Sequence, residues 1–128
     1  MRCRTRRRRP LVTPELIKQL LSAAVCSGAA IPAVPVKDTI KLSCDGTAVA
    51  KTIPRNEIWC AQTPQVFQRP LLEEAYRKLK DTAVTDDAQV AELSGARVTI
   101  VQGDRQNMKI TERKDLELAK FYLQKKRF

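Results

Sequence analysis

The junction spanning residues 13–36 limits the fold more than any other feature of this chain. Thr13-Pro14-Glu15 supplies an N-cap hydroxyl, a proline at the first helical position and an acid at the positive end of a helix dipole. Leu16, Ile17, Leu20, Leu21, Ala24 and Val25 follow at helical spacing, and Gly28 stops the run. Residues 29–36 are then apolar throughout, which predicts a buried strand. Pro32 and Pro35 cannot donate ladder hydrogen bonds, so this strand is expected at an edge or with local irregularity.

The rest of the chain alternates in the same way. Residues 39–43 and 47–53 change polarity with a period of about two, and Cys44-Asp45-Gly46 between them reads as a hairpin turn. This hairpin has too few large apolar residues to bury a face alone, so it is expected to project and pack on a partner. A short strand is predicted over 58–62 and a helix over 70–80. Thr85 is expected to cap a short helix ending at Leu93, a strand follows over 97–102, and Lys109-Ile110 is a brief extended piece. Thr111 is expected to cap the last helix, with Leu116, Leu118, Ala119, Tyr122 and Leu123 on its apolar side. Strands alternating with helices predict an α/β domain with a mixed or parallel sheet.

Composition narrows the function classes. The chain has 128 residues, one domain's worth, and its charge is +10. Six arginines within residues 1–9 carry most of that excess: without them 18 basic residues face 14 acidic ones. The basicity is a terminal tag, either a nucleic-acid-binding arm or a disordered terminus. Histidine is absent, which excludes His-based metal sites and triads. Cys3, Cys26, Cys44 and Cys60 show no C-x-x-C spacing, so structural, reduced thiols and a cytoplasmic setting are expected. No apolar run reaches the length of a membrane span, and no signal peptide is expected.

The chemistry-bearing residues are few. Thr85 would sit at a helix N-terminus, although Asp86 and Asp87 already suit that dipole. Lys109 follows the Gly103-Asp104 turn and could reach a phosphate or simply lie in solvent, and Arg55 ends the hairpin. No two carboxylates are spaced for acid–base work, and the four glycines cannot form a phosphate loop.

A set of strings resembles the C-terminal half of the 2-C-methyl-D-erythritol 4-phosphate cytidylyltransferase family. They are Arg9-Pro10-Leu11-Val12-Thr13, Pro35-Val36-Lys37-Asp38-Thr39-Ile40-Lys41, Arg55-Asn56 with Trp59, and Gln62-Thr63-Pro64-Gln65-Val66-Phe67. Thr85-Asp86-Asp87-Ala88 and Gly103-Asp104 with Asn107-Met108-Lys109-Ile110-Thr111 complete the set. The resemblance runs from residue 9 to 128, in family order and with family-like spacing. It implies a Rossmann-like nucleotidyltransferase sheet with helices, present here in part, and a projecting β-arm over about 38–56 that reaches a neighbouring subunit of a homodimer. It further implies catalytic roles for Arg55 and Lys109 and substrate contacts from Arg9, Thr39, Thr63 and Thr85. The substrates implied are 2-C-methyl-D-erythritol 4-phosphate and CTP, with Mg2+. The products are 4-diphosphocytidyl-2-C-methyl-D-erythritol and pyrophosphate, in the non-mevalonate isoprenoid pathway.

Two departures qualify that reading. The Gly-rich, Arg- and Lys-bearing segment with which the family binds CTP is not in this sequence, so no cofactor-binding or metal-binding residue is expected and the chain alone is expected to be inactive. The family's Asp-Ala-Ala-Arg-Pro is here Arg6-Arg7-Arg8-Arg9-Pro10. An allowed set of codons for residues 1–8, read one base out of frame, restores the family's approach to Arg-Pro, so residues 1–8 are expected to be out-of-frame translation. Unpaired strand edges predict poor solubility. The alternatives are a small nucleic-acid-binding protein using the arginine run and Lys125-Lys126-Arg127, and a non-catalytic dimerisation module. The three phenylalanines are expected in the core.

Overall fold

The computed structural model describes residues 1–4 and 8–126. Helix α1 spans Pro14–Ser27 and begins as its sequence predicts, with Thr13 Oγ1 accepting from the Leu16 N–H at 3.3 Å and Gly28 N–H donating back to Ala24 O at 2.8 Å. Strand β2, Ala29–Pro35, follows at once and is the centre of the main sheet. On one side it pairs in parallel with β7, Thr99–Gln102. On the other it pairs antiparallel first with β6, Gln65–Phe67, and then with β5, Trp59–Ala61.

Two prolines in a central strand contradict the expected edge position, and the register supplies the reason. Pro32 O accepts from Gln62 N–H at 2.7 Å, so the missing Pro32 donor faces the gap where β5 gives way to β6 through Thr63-Pro64. Ala33 O accepts from Gly103 N–H on the opposite side, and Pro35 faces the same way, beyond the end of β7. Each missing N–H falls where no strand residue waits for it.

Helices cover both faces of this sheet. Ala30 and Val66 pack against Leu16, Leu20 and Ala24 of α1. Ala29 and Phe67 face the other way, against α2, Arg69–Lys78, through Leu72 and α3, Asp87–Leu93, through Ala88 and Ala91. Ala29 and Ala30 therefore serve opposite layers, as the two-residue strand period requires. Fully buried Leu20 and Phe67 contribute about 1.5–3 kcal/mol each.

Four expectations change in the structure. Residues Arg2–Arg4, for which the sequence predicts either a nucleic-acid-binding arm or a disordered terminus, form strand β1 on the outer edge of β6, where they supply that buried strand's second set of ladder partners. The Asp-Gly hairpin is longer-looped: β3, Ile40–Leu42, and β4, Lys51–Ile53, pair alone, and residues 43–50 join them because Ser43 and Asp45 capture the intervening backbone groups. The helix caps shift by one residue. Asp86 rather than Thr85 caps α3, its carboxylate being the stronger acceptor for Gln89 N–H (2.8 Å), and α4, Arg113–Lys125, starts after Glu112 rather than Thr111. Finally, α4 buries Ala119 but leaves Leu116, Leu118 and Leu123 exposed. Phe121 is exposed as well and packs beside Tyr122 under Lys125, so it is not core; Phe67 is, and Phe128 lies outside the described residues.

Candidate functional site

The break between β5 and β6 opens a cleft of about 570 Å³ at the edge of the sheet. Arg9, Thr63, Thr85 and Lys109, four of the residues singled out from sequence, line it together. They arrive from four chain segments: the approach to α1, the Thr63-Pro64 turn, the entry to α3 and the loop after β7. Thr39 and Arg55 do not join them. Both are exposed on the β3–β4 side, Thr39 just ahead of β3 and Arg55 in the single 3-10 turn Arg55–Glu57, where its guanidinium donates to Lys37 O. Arg6, expected in place of the family's acid, and Arg127 lie outside the described residues.

Arg9 is the best-fixed cation in the cleft. Its Nε donates to Thr63 Oγ1 at 2.9 Å and its Nη1 donates to the carbonyl of Asn107. Both partners are neutral oxygens, so the guanidinium is oriented without being neutralised, and partial burial pushes its pKa down. Lys109 and Arg8 add two more cations to the lining. The Arg8 carbonyl is held by Ile110 N–H at 2.8 Å, which ties the segment before α1 to the Lys109 loop.

The acids at the cleft are already engaged. Asp86 accepts from Gln89 N–H through Oδ1 and from Gln65 Nε2 at 2.9 Å through Oδ2. Asp87 accepts from the Tyr76 hydroxyl and faces Arg4 Nε at 3.4 Å. That contact holds the Tyr76 proton, raising the pKa of the hydroxyl. Thr85 spends its hydroxyl on Gln89 Oε1 at 3.1 Å. A surface with one oriented guanidinium, further cations from Lys109 and Arg8, and carboxylates occupied elsewhere is suited to bind an anion such as a phosphate monoester.

Sequence reasoning missed the framework beneath these residues. Among the described residues Gln62, Gln65 and Asn107 are the buried polar ones, and all three belong to strings quoted for the resemblance without being given roles. Three polar side chains inside otherwise apolar or turn-forming strings were the available signal.

Comparison with known proteins identifies the family of this chain. Residues 7–125 match the family model IspD, 2-C-methyl-D-erythritol 4-phosphate cytidylyltransferase. The proteins of that name from Alkaliphilus oremlandii and Bacillus licheniformis are 46% and 47% identical over 121 and 118 residues. These alignments take in 93% and 91% of this chain and 51% of each relative. The crystal structure of 2-C-methyl-D-erythritol 4-phosphate cytidylyltransferase from Thermus thermophilus superposes with a TM-score of 0.77 at 40% identity, covering 88% of this chain and 56% of that one. The 4-diphosphocytidyl-2C-methyl-D-erythritol synthase of Anaerococcus prevotii gives 0.81 at 35% identity, covering 91% and 55%. The chain spans about half the length of the relatives it matches. The family-model match, the identity to these relatives and the shared fold place this chain in the 2-C-methyl-D-erythritol 4-phosphate cytidylyltransferase family.

Proposed function

We propose that this chain forms the polyol-phosphate half of a cytidylyltransferase site. The overall reaction is between CTP and 2-C-methyl-D-erythritol 4-phosphate, yielding 4-diphosphocytidyl-2-C-methyl-D-erythritol and pyrophosphate. The observation that carries this reading is the convergence of Arg9, Thr63, Thr85 and Lys109 on one cleft in which Arg9 keeps its charge. In the reaction a phosphate oxygen of the substrate attacks the α-phosphorus of CTP in line, and the bond to pyrophosphate breaks. Two anions must meet for this to happen, so charge neutralisation and positioning are the main contributions the protein can make. Arg9 and Thr63 bind the polyol phosphate, Thr85 joins them by turning its hydroxyl from Gln89 Oε1 to the ligand, and Lys109 screens the phosphate as it approaches CTP.

Arg55 and Thr39 enter this scheme from a second copy. The arm that carries them has little apolar substance of its own, pairs only with itself and supplies no residue to its own cleft, which supports a homodimer in which each arm completes the neighbour's site. The resemblance also implies Mg2+. Among the described residues no three metal-ligating side chains come together, and Asp86 and Asp87 are engaged. Mg2+ in such sites is held by one or two carboxylates together with substrate phosphates, and with Asp86 and Asp87 engaged the part we assign to this chain's cleft is anion binding.

No helix among the described residues is long and apolar enough to cross a membrane. The reading is tested by titrating the chain with 2-C-methyl-D-erythritol 4-phosphate. Binding is expected, with Arg55→Ala and Lys109→Ala each weakening it and an equimolar mixture of the two recovering part of it, since one arm and one cleft remain intact in the mixed dimer. Equal binding of the unphosphorylated polyol overturns the phosphate assignment, and no recovery in the mixture overturns the shared site. Salt-steep DNA binding that disappears without residues 1–9 would favour the nucleic-acid alternative instead.

A further inference from the structure

Asn107 is 1% exposed, and its Oδ1 is buried with no hydrogen-bond partner. An orphaned buried acceptor is costly, and its cause lies at the other end of the same side chain. Nδ2 donates to Thr63 O at 3.0 Å and, more weakly, to Gln62 Oε1 at 3.4 Å. Turning the amide over would set its oxygen against both of those acceptors, so the neighbours fix its orientation. The Asn107 carbonyl meanwhile accepts from Arg9 Nη1, and Thr63 Oγ1 accepts from Arg9 Nε. Arg9, Thr63 and Asn107 thus form a closed ring of three hydrogen bonds. The Asn107 side chain sets the distance between the two acceptors that orient the guanidinium. The same residue opens toward Lys109 two positions on, and its N–H is anchored on Asp104 O at 2.9 Å.

We propose that Asn107 is a positioning residue, which holds Arg9 in the plane that an incoming tetrahedral oxyanion requires and keeps the Lys109 loop in register with it. This rests on the reading of the cleft as an anion site, and it assigns the site's affinity to a residue that does not line it. The unsatisfied Oδ1 is retained because the opposite amide end closes the ring.

Sulfate, dianionic across the working pH range, is a suitable probe for the full chain. Asn107→Ala is expected to weaken sulfate binding by about tenfold, with Arg9 still present. Asn107→Asp is the sharper variant. Near neutral pH its carboxylate faces the Thr63 carbonyl and offsets Arg9, so binding falls further. On acidification the protonated acid again donates to Thr63 O, and binding returns toward that of the parent chain. Arg4, Arg8, Tyr76, Asp86, Asp87 and Lys109 line the cleft and Asp104 sits beside Asn107 in all three proteins, so their titration is common to each, and only a recovery confined to the Asn107→Asp variant counts. A purely structural role predicts a lower thermal midpoint with no such recovery.

The Arg9 Nε–H resonance gives a second, independent readout. It is expected to exchange slowly in the parent chain and in Thr63→Ser, and to be lost in Asn107→Ala and Thr63→Val. If the parent chain fails to bind sulfate, the anion reading of the cleft falls, while this resonance still decides the ring. Unchanged sulfate affinity and an unchanged Nε–H signal in Asn107→Ala overturn the proposal.

Discussion

Around Arg9, polar groups from four segments are tied to one another beneath the surface, whereas the arm at residues 40–53 is tied only to itself and in solvent. At the cleft, Gln62 and Asn107 are buried, and Gln62 Nε2 reaches Asp104 O at 2.8 Å across the sheet's edge. At the arm, Ser43 and Asp45 close the tip on nearby backbone, and Lys41 Nζ meets Thr52 Oγ1 at 2.8 Å, all exposed. A cleft built from distant segments inherits its geometry from the core. An arm built from local contacts keeps its shape without a core, and its Leu42 and Val49 stay exposed.

Two glycines break this comparison most directly. Gly103 sits where β7 turns into the cleft loop, and a Cβ there would meet Gln62 Oε1 at 2.5 Å and the Ala33 carbonyl oxygen at 3.2 Å. The backbone of a central strand cannot easily yield. Gly103→Ala is therefore expected to cost about 1–3 kcal/mol in denaturant unfolding and to weaken anion binding as well. A variant as stable as the parent chain would show that the cleft is not tied to the core as described.

Gly46, at the arm tip, has open space around its Cβ position but a φ of +75°. Gly46→Ala is expected to cost about 1 kcal/mol of local strain at the tip. Its effect should appear in the amide signals of residues 43–50, with sulfate binding at the cleft unchanged. A change in the Arg9 signal would instead reveal coupling between the two regions.

The smallest effect is pH-dependent and confined to the arm. The Thr47 N–H, followed by the Thr47 side chain and the Ala48 N–H, holds the Asp45 carboxyl down at about 2. Its folded value lies below the free one, so its contribution is present above the ordinary carboxylate range and is lost as pH falls through about 2. The Thr47 and Ala48 amide shifts are expected to titrate with a midpoint of about 2. A midpoint of about 4, the ordinary aspartate value, would mean that the tip bonds are not formed in solution.

Local chemistry made much of the fold readable in advance. The α1 caps, the apolar run of β2 and the core-poor hairpin each depend on neighbours within a few residues. Where short-range alternatives competed, the reading slipped by one position, as at Thr85 and Asp86, because a hydroxyl and a carboxylate contend for the same N–H groups. The α4 stripe was legible as amphipathic, but its partners were not. Helical spacing reports which residues share a face, not whether another layer covers it.

The sequence by itself determined the α/β alternation, the ends of α1, the strings that mark the family and the residue types able to meet a phosphate. The tertiary structure alone decided that β2 is central despite Pro32 and Pro35, because only the register shows where their missing donors point. It also decided that Arg9, Thr63, Thr85 and Lys109 meet while Thr39 and Arg55 stand apart. Arg9 and Asn107 lie 98 positions apart in sequence, and nothing in local propensity links them. Their contact exists because α1 and β7 are both packed on β2, bringing the segment before the helix and the loop after the strand to one end of the sheet.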